Sequence, residues 1–229
     1  MPAPADATLR RLVDVTMAGA LLIALSPLVT VLALLVRATS PGPALFRQTR
    51  IGRDGRPFVL LKLRTMRVDA MGAGPAITAG VDPRITPLGA RLRRAKLDEL
   101  PQLWNVLRGD MSLVGPRPEV PDYVARYTAS QRAVLRARPG LTDPASLAWA
   151  DEAATLATFA DPHRAYAETV LPQKLALSLA YLERRTVWSD LAVVIRTTAH
   201  VARAVLPRTW STSRNTGRPP GRPLRAGPR

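Results

Sequence analysis

The 229-residue sequence has no cysteine and only two histidines, and each shortage removes a class of chemistry. Without thiols there can be no disulfide framework, no thiolate nucleophile and no thiolate metal site. His163 and His200 have no partner at metal-ligand spacing, which argues against a zinc or iron enzyme. Aromatic residues are also scarce, with four Trp, four Tyr and three Phe, and no helix-turn-helix or RNA-binding signature is present, so nucleic acid is a poor candidate partner. Lysine is limited to Lys62, Lys96 and Lys174, and the formal net charge of +16 is carried mainly by arginine. A charge of this size still requires an anionic partner, and acidic lipid or a phosphorylated substrate fits better than a duplex or single strand.

The chain is long enough for one domain with a real core plus appendages. Residues 12–36 form a run whose only charge is Asp14, long enough as a helix to cross ~30 Å of hydrocarbon at ~1.5 Å per residue. The run is too long for a cleaved signal peptide. Ser26-Pro27 interrupts it and leaves 12–25 and 28–36, each too short to span alone; a proline here predicts a sharp bend. Arg10 and Arg11 precede the run and Arg37 follows it, which pulls both ends toward the cytoplasm. A bent helix that enters and returns and a kinked helix that spans are both compatible with these residues.

The remainder reads as mostly helical with a small β-hairpin. Residues 44–66 form apolar-rich arms around a turn at 52–55, and residues 68–89 show no sustained period. Helices are expected over 90–107, where Pro101 means either that a new helix starts there or that the helix kinks, and over 120–136, 167–183 and 188–206. Leu100, Leu103, Trp104 and Leu107 suit either an interfacial face or core packing. The tail 207–229 carries six arginines, five prolines and no acid, a composition expected to stay disordered. The expected divisions are 1–39 for the membrane helix, 40–206 for the catalytic domain and 207–229 for the tail.

Residues 96–122, KLDELPQLWNVLRGDMSLVGPRPEVPD, concentrate the chemistry. Adjacent Asp98 and Glu99 can divide two tasks, one attacking a phosphorus and the other holding a hard cation, since magnesium is usually bound through one or two carboxylates. Arg93 lies just upstream and Arg117 lies in the Gly-Pro-Arg-Pro turn, and the guanidinium fork matches phosphate oxygens. Gly115 would let the backbone approach a phosphate closely. Lys62 and Arg64, at the end of the second hairpin arm, are further candidates for a phosphate or headgroup contact.

LDELPQLWNVLRGDMSLVGPRPE resembles the core motif of the bacterial sugar transferases, specifically the small monotopic phosphoglycosyl transferases acting on polyprenyl phosphate. SPGPALFRQTRIGRDGRPFVLLKLRTM at 40–66, DPRIT at 82–86 and RPGLTDPAS at 138–146 resemble the same family. The resemblance implies an α/β, mostly α, domain with interfacial amphipathic helices, and a re-entrant membrane helix broken at Ser26 and Pro27, on the cytoplasmic face of the bacterial inner membrane. It implies transfer of a sugar-1-phosphate from a UDP-sugar to polyprenyl (undecaprenyl) phosphate, releasing UMP through an aspartyl-phosphosugar intermediate on Asp98. Glu99 would hold Mg2+, and Arg93, Arg117, Lys62, Arg64 and Gly115 would contact phosphate. The product would pass to downstream glycosyltransferases in exopolysaccharide, lipopolysaccharide or glycoprotein glycan synthesis, and a homodimer is left open. Two departures stand out: Asp143-Pro144-Ala145-Ser146 follows Thr142 where many relatives have Gly, and Ser178 stands where many carry an acid. The rival reading is a non-catalytic, membrane-tethered basic adaptor binding anionic lipid or a partner protein, for which Asp98→Asn would be silent.

Overall fold

The computed structural model describes residues 4–68, 77–80 and 82–205. Residues 69–76 and 81 of the loop expected over 68–89, and the whole tail 207–229, lie outside the described residues. Among those described, the chain is mostly helical, with two small two-stranded sheets and one long apolar helix at the N-terminus.

Helix α1 (Pro4–Thr39) is a single helix that continues through Ser26-Pro27, with the proline internal. The physical reason lies beside the proline. Pro27 has no N–H to give to the carbonyl of Ile23, four residues back, and the Ser26 hydroxyl donates to that carbonyl at 2.8 Å instead. Thr30 Oγ1 donates to Ser26 O at 2.9 Å on the following turn. A narrow stripe of α1 packs on the rest of the molecule: Ala18 with Met17, Leu22 and Leu25 toward one core cluster, and Leu32 and Val36 toward another. Leu9, Leu12, Val15, Leu21, Ile23, Leu28, Val31, Leu34 and Leu35 remain exposed, so the helix is apolar all round.

β1 (Leu45–Ile51) and β2 (Pro57–Leu63) form the expected antiparallel hairpin, with Asp54 left-handed at φ 57° in its turn. Among the described residues, the other edge of β2 meets no strand. Buried Asn105 serves it, accepting from Leu61 N at 3.1 Å and donating to Val59 O at 2.7 Å.

Of the two outcomes expected at Pro101 within 90–107, a new helix starts there, and a further break comes earlier, at Lys96. α2 (Pro87–Arg94), capped by Thr86, stops at Lys96, which adopts a left-handed φ of 55°; a 3-10 turn, Leu97–Glu99, follows, and Pro101 starts α3 (Gln102–Arg108). Of the apolar set proposed there, Leu103 is core and Trp104 is exposed. β3 (Ser112–Val114) and β4 (Gly140–Thr142) pair in parallel, an element the sequence pattern does not announce. The helix expected over 120–136 resolves into α4 (Pro121–Ala125) and a 3-10 stretch, Gln131–Arg136, because Thr128, Ser130 and Gln131 bond one another in a turn between them. Short helices α5 (Pro144–Ala148), α6 (Glu152–Leu156) and α7 (Pro162–Ala165) lead through a π turn into α8 (Leu171–Arg184) and then α9 (Val187–Val205), close to the two late helices expected.

Candidate active site

Asp98 and Glu99 owe their position to the broken helix. The first turn of α2 lies against the backbone of Thr65, so close that a side chain on Gly89 would collide with the Thr65 carbonyl. Thr86 N also donates to Thr65 O at 3.0 Å, fixing α2 on the end of the hairpin. The left-handed Lys96 then turns the chain so that both carboxylates point inward, with Asp98 4% and Glu99 8% exposed. A continuous helix would have carried them past the cavity.

Three cations converge on this pair from separate elements. Lys62 on β2 approaches Glu99 Oε1 at 3.3 Å, and Arg117 Nη2 donates to the same oxygen at 2.8 Å. Arg93, at the end of α2, is held by Thr65 Oγ1 at 2.8 Å and Thr78 Oγ1 at 3.2 Å and exerts its charge on Asp98. Lys62, Arg93, Asp98, Glu99 and Arg117 line one cavity of about 500 Å³, along with Arg64.

The two carboxylates sit in opposite electrostatic situations. Burial raises the Asp98 carboxyl above its ordinary value and the Glu99 charge adds to that, against lowering by Lys62, Arg93 and Lys96. Burial also acts to raise Glu99, but Arg117, Lys62 and Lys96 outweigh it and hold that carboxylate well below its usual range. Burial pushes the Lys62 ammonium down, with Glu99 opposing. Glu99 is thus a committed anion, while Asp98 is a strained one, and its Oδ1 is buried without a hydrogen-bond partner. An unmatched buried carboxylate oxygen is unfavourable in a resting protein and useful in a nucleophile.

The described residues contain no cluster of three or more acidic or imidazole ligands. A cation here would rest on one or two carboxylates with phosphate oxygens completing its shell, the arrangement that suits magnesium. The Asp98–Glu99 pair fits that requirement, and the orphaned Asp98 Oδ1 is compatible with it.

The other sequence candidates divide. Arg64 is 2% exposed and fastens the hairpin to the end of α1, donating through Nη2 to Ser40 O at 2.6 Å and Ser40 Oγ at 2.8 Å. Its Nε and Nη1 are unpartnered. Gly115 does not line the cavity: a side chain there would strike Arg138 O and Gly140 N, so its role is close packing of β3 on β4. Ser26 and Pro27 lie on α1, outside the cavity-lining set.

Several contributors were given no role from the sequence. Asp143, 2% exposed, accepts from Arg117 N at 2.8 Å and from Ser146 N at 2.5 Å, so the residue that departs from the common family pattern positions the arginine loop and caps α5. Glu119 accepts from Tyr166 Oη at 2.6 Å and faces Arg50 at 3.6 Å. Lys174 pairs with Glu152 and lies 5.6 Å from the centre of the Tyr166 ring. A signal existed for Lys174: it occupies the buried stripe Leu171, Lys174, Leu175, Ser178, where a polar side chain needs a reason.

The family model described as bacterial sugar transferase matches residues 5–204. A UDP-glucose:undecaprenyl-phosphate glucose-1-phosphate transferase of Caulobacter vibrioides is 42% identical over 82% of this chain and 67% of its own length. A protein of the same name from Escherichia coli is 36% identical, again over 82% of this chain but only 39% of its own length. A putative undecaprenyl-phosphate N-acetylgalactosaminyl 1-phosphate transferase of Bacillus subtilis is 44% identical over 52% of this chain and 66% of its length. The chain therefore spans 39% to 67% of the length of these relatives, and the range matched by the family model contains the carboxylate pair and its cations. With 5–204 covered by one family model, the chain belongs to the bacterial sugar transferase family.

Proposed function

We propose that the protein transfers a sugar-1-phosphate from a UDP-sugar to polyprenyl phosphate, giving polyprenyl-diphosphate-sugar and UMP. The observation that carries this is the buried Asp98–Glu99 pair facing Lys62, Arg93 and Arg117 across one cavity. In the first step an Asp98 carboxylate oxygen attacks the phosphorus bearing the sugar; a P–O bond forms to Asp98 and the bond to UMP breaks. In the second, a phosphate oxygen of the lipid attacks the same phosphorus and the Asp98 carboxylate is released, so no external reagent is consumed. Lys62, Arg93 and Arg117 orient the diphosphate and stabilise its charge in a water-poor site. Glu99 would hold magnesium, which supplies charge neutralisation on the departing phosphate.

The acceptor is a lipid, and α1 suits a membrane-anchoring role: it is long and apolar enough to cross a bilayer. Both of its ends are fastened to the same folded domain, Arg11 to Val106 O and Leu107 O, and Val36 O and Ser40 to Arg64. A helix tied at both ends to one domain supports entry and return on one face rather than crossing. Arg10, Arg11 and Arg37 favour the cytoplasmic face. Anchoring there holds the nucleophile at the depth of the lipid phosphate and avoids extracting a long apolar chain into water.

The test is UMP release by purified protein in detergent with polyprenyl phosphate, magnesium and a panel of UDP-sugars. Release from one donor, abolished by chelation and by Asp98→Asn, is expected. Full activity in Asp98→Asn, or no release from any donor by folded protein, would overturn the reading.

A further inference from the structure

The cavity extends well beyond the catalytic pair, in two arms. One arm is formed around Arg93 by Thr65, Thr78 and Arg84. The other lies beyond Arg117 and is formed by Glu119, Ser146, Trp149, Glu152, Tyr166 and Lys174. Arg117 Nη2 donates to Glu99 Oε1 at 2.8 Å, and Asp143 binds the backbone N–H groups of both Arg117 and Ser146. The chain of contacts therefore runs from Glu99, next to Asp98, through Arg117 to the Trp149–Glu152 arm.

Phosphoryl transfer requires the attacking and leaving oxygens to lie roughly in line. With Asp98 attacking the sugar-bearing phosphorus, the departing nucleotide must extend away from Asp98, a direction that the contacts from Glu99 through Arg117 supply. The chemistry of the far arm suits a nucleoside. Trp149 supplies an aromatic surface for a base, Ser146 a hydroxyl, and the Glu152 carboxylate an acceptor for ribose hydroxyls, with Lys174 holding Glu152 in place. The arm is also built onto the phosphate site: the single carboxylate of Asp143 binds the backbone N–H of Arg117 and that of Ser146, fixing the arginine loop and the helix start that leads to Trp149 relative to each other.

We propose that the arm bounded by Ser146, Trp149, Glu152 and Lys174 is the nucleoside subsite of the donor, leaving the sugar to the Arg93 side of the cavity. The assignment rests on the transferase reading above and deepens it. Neither Trp149 nor Glu152 bonds directly to Asp98 or Glu99; Glu152 acts on Arg117 by charge, so the Trp149 variants are the ones that alter the subsite without touching the phosphate-binding groups.

The experiment compares three probes on the full chain in detergent with magnesium: UDP, which has nucleoside but no sugar; inorganic pyrophosphate, which has neither; and the UDP-sugar that supports turnover. Glu152→Gln and Trp149→Ala are each expected to weaken UDP binding by about tenfold or more, while pyrophosphate binding by Trp149→Ala stays within about twofold. Trp149→Phe, which keeps an aromatic surface, should recover most of the UDP affinity. Unchanged UDP affinity with a raised KM for the UDP-sugar would assign this arm to the sugar and overturn the proposal. Parallel losses for UDP and pyrophosphate in Trp149→Ala would show a general distortion of the site and would also overturn it. UMP release by the wild type is scored separately: turnover that persists while the UDP result goes the wrong way removes only the subsite, whereas a folded wild type that neither binds UDP nor turns over removes both readings.

Discussion

Two clusters of buried charge lie in this molecule, and they treat their charges differently. Where α1 meets α9, Arg185 donates to Asp190 at 2.8 Å and to Val114 O at 2.7 Å, Arg10 donates to Arg185 O at 2.9 Å, and Asp14 accepts from Leu113 N at 2.9 Å. Arg11 adds two bonds to the last carbonyls of α3, at 2.7 and 2.8 Å. These side chains end largely on protein groups, which makes the cluster a fastening for the helix. In the cavity, Arg117 and Lys62 share a single Glu99 oxygen, Arg93 is held only by hydroxyls, and Asp98 keeps an oxygen without a partner. Charge held in reserve and facing open space marks a site; charge spent on neighbouring backbone marks a joint.

The sharpest way to break that contrast is to neutralise one carboxylate in the cavity. Asp98→Asn should lower UMP release by about a thousandfold or more, because the amide is no nucleophile. It should leave thermal stability unchanged or slightly raised, since a buried, incompletely paired charge beside Glu99 disappears. A large loss of stability in this variant would mean that Asp98 is part of the framework, and the distinction between the two clusters would fail.

The complementary change lies in the fastening. Arg185→Met removes the partner of Asp190 and the donor to Val114 O, and should cost about 3 kcal/mol of stability. Turnover per folded molecule should stay within about threefold, read by correcting UMP release for the folded fraction. A selective loss of turnover at full stability would instead place Arg185 in the machinery.

The contrast also explains what could be read in the sequence. The hairpin, the apolar helix and the two late helices were legible because period and turn residues dictate them. So were Asp98, Glu99, Arg93 and Arg117, which lie close together in the chain. The break that presents them was not, because an apolar spacing of three and four residues continues across 90–107 and lysine is no usual occupant of a left-handed position; tertiary contacts with Thr65 and the cavity impose it. The β3–β4 pair, three residues on each side, joins segments separated by the whole of α4 and its following turn, too little pattern for recognition from spacing. Gly115, read as a phosphate contact, has a packing role that spacing did not reveal: its missing side chain serves that pairing. Glu152, Tyr166 and Lys174 were hidden for a related reason: they come from three separate stretches of the C-terminal half and meet only in the folded cavity.

The smallest effect expected concerns Ser26, and it tests how a helix tied down at both ends tolerates a proline in the middle. Pro27 leaves the Ile23 carbonyl without its backbone donor, and the Ser26 hydroxyl fills that vacancy at 2.8 Å. In an apolar surrounding no water can replace the hydroxyl, so Ser26→Ala should destabilise the protein in detergent micelles by about 1 kcal/mol. In a Pro27→Ala background the backbone N–H is restored and the same Ser26→Ala change should cost close to nothing. Equal costs for Ser26→Ala with and without Pro27, measured by thermal unfolding of all four proteins, would show that the hydroxyl acts elsewhere. A coupling near 1 kcal/mol would make Ser26-Pro27 a paired device, in which the serine keeps continuous a helix that the proline alone would open.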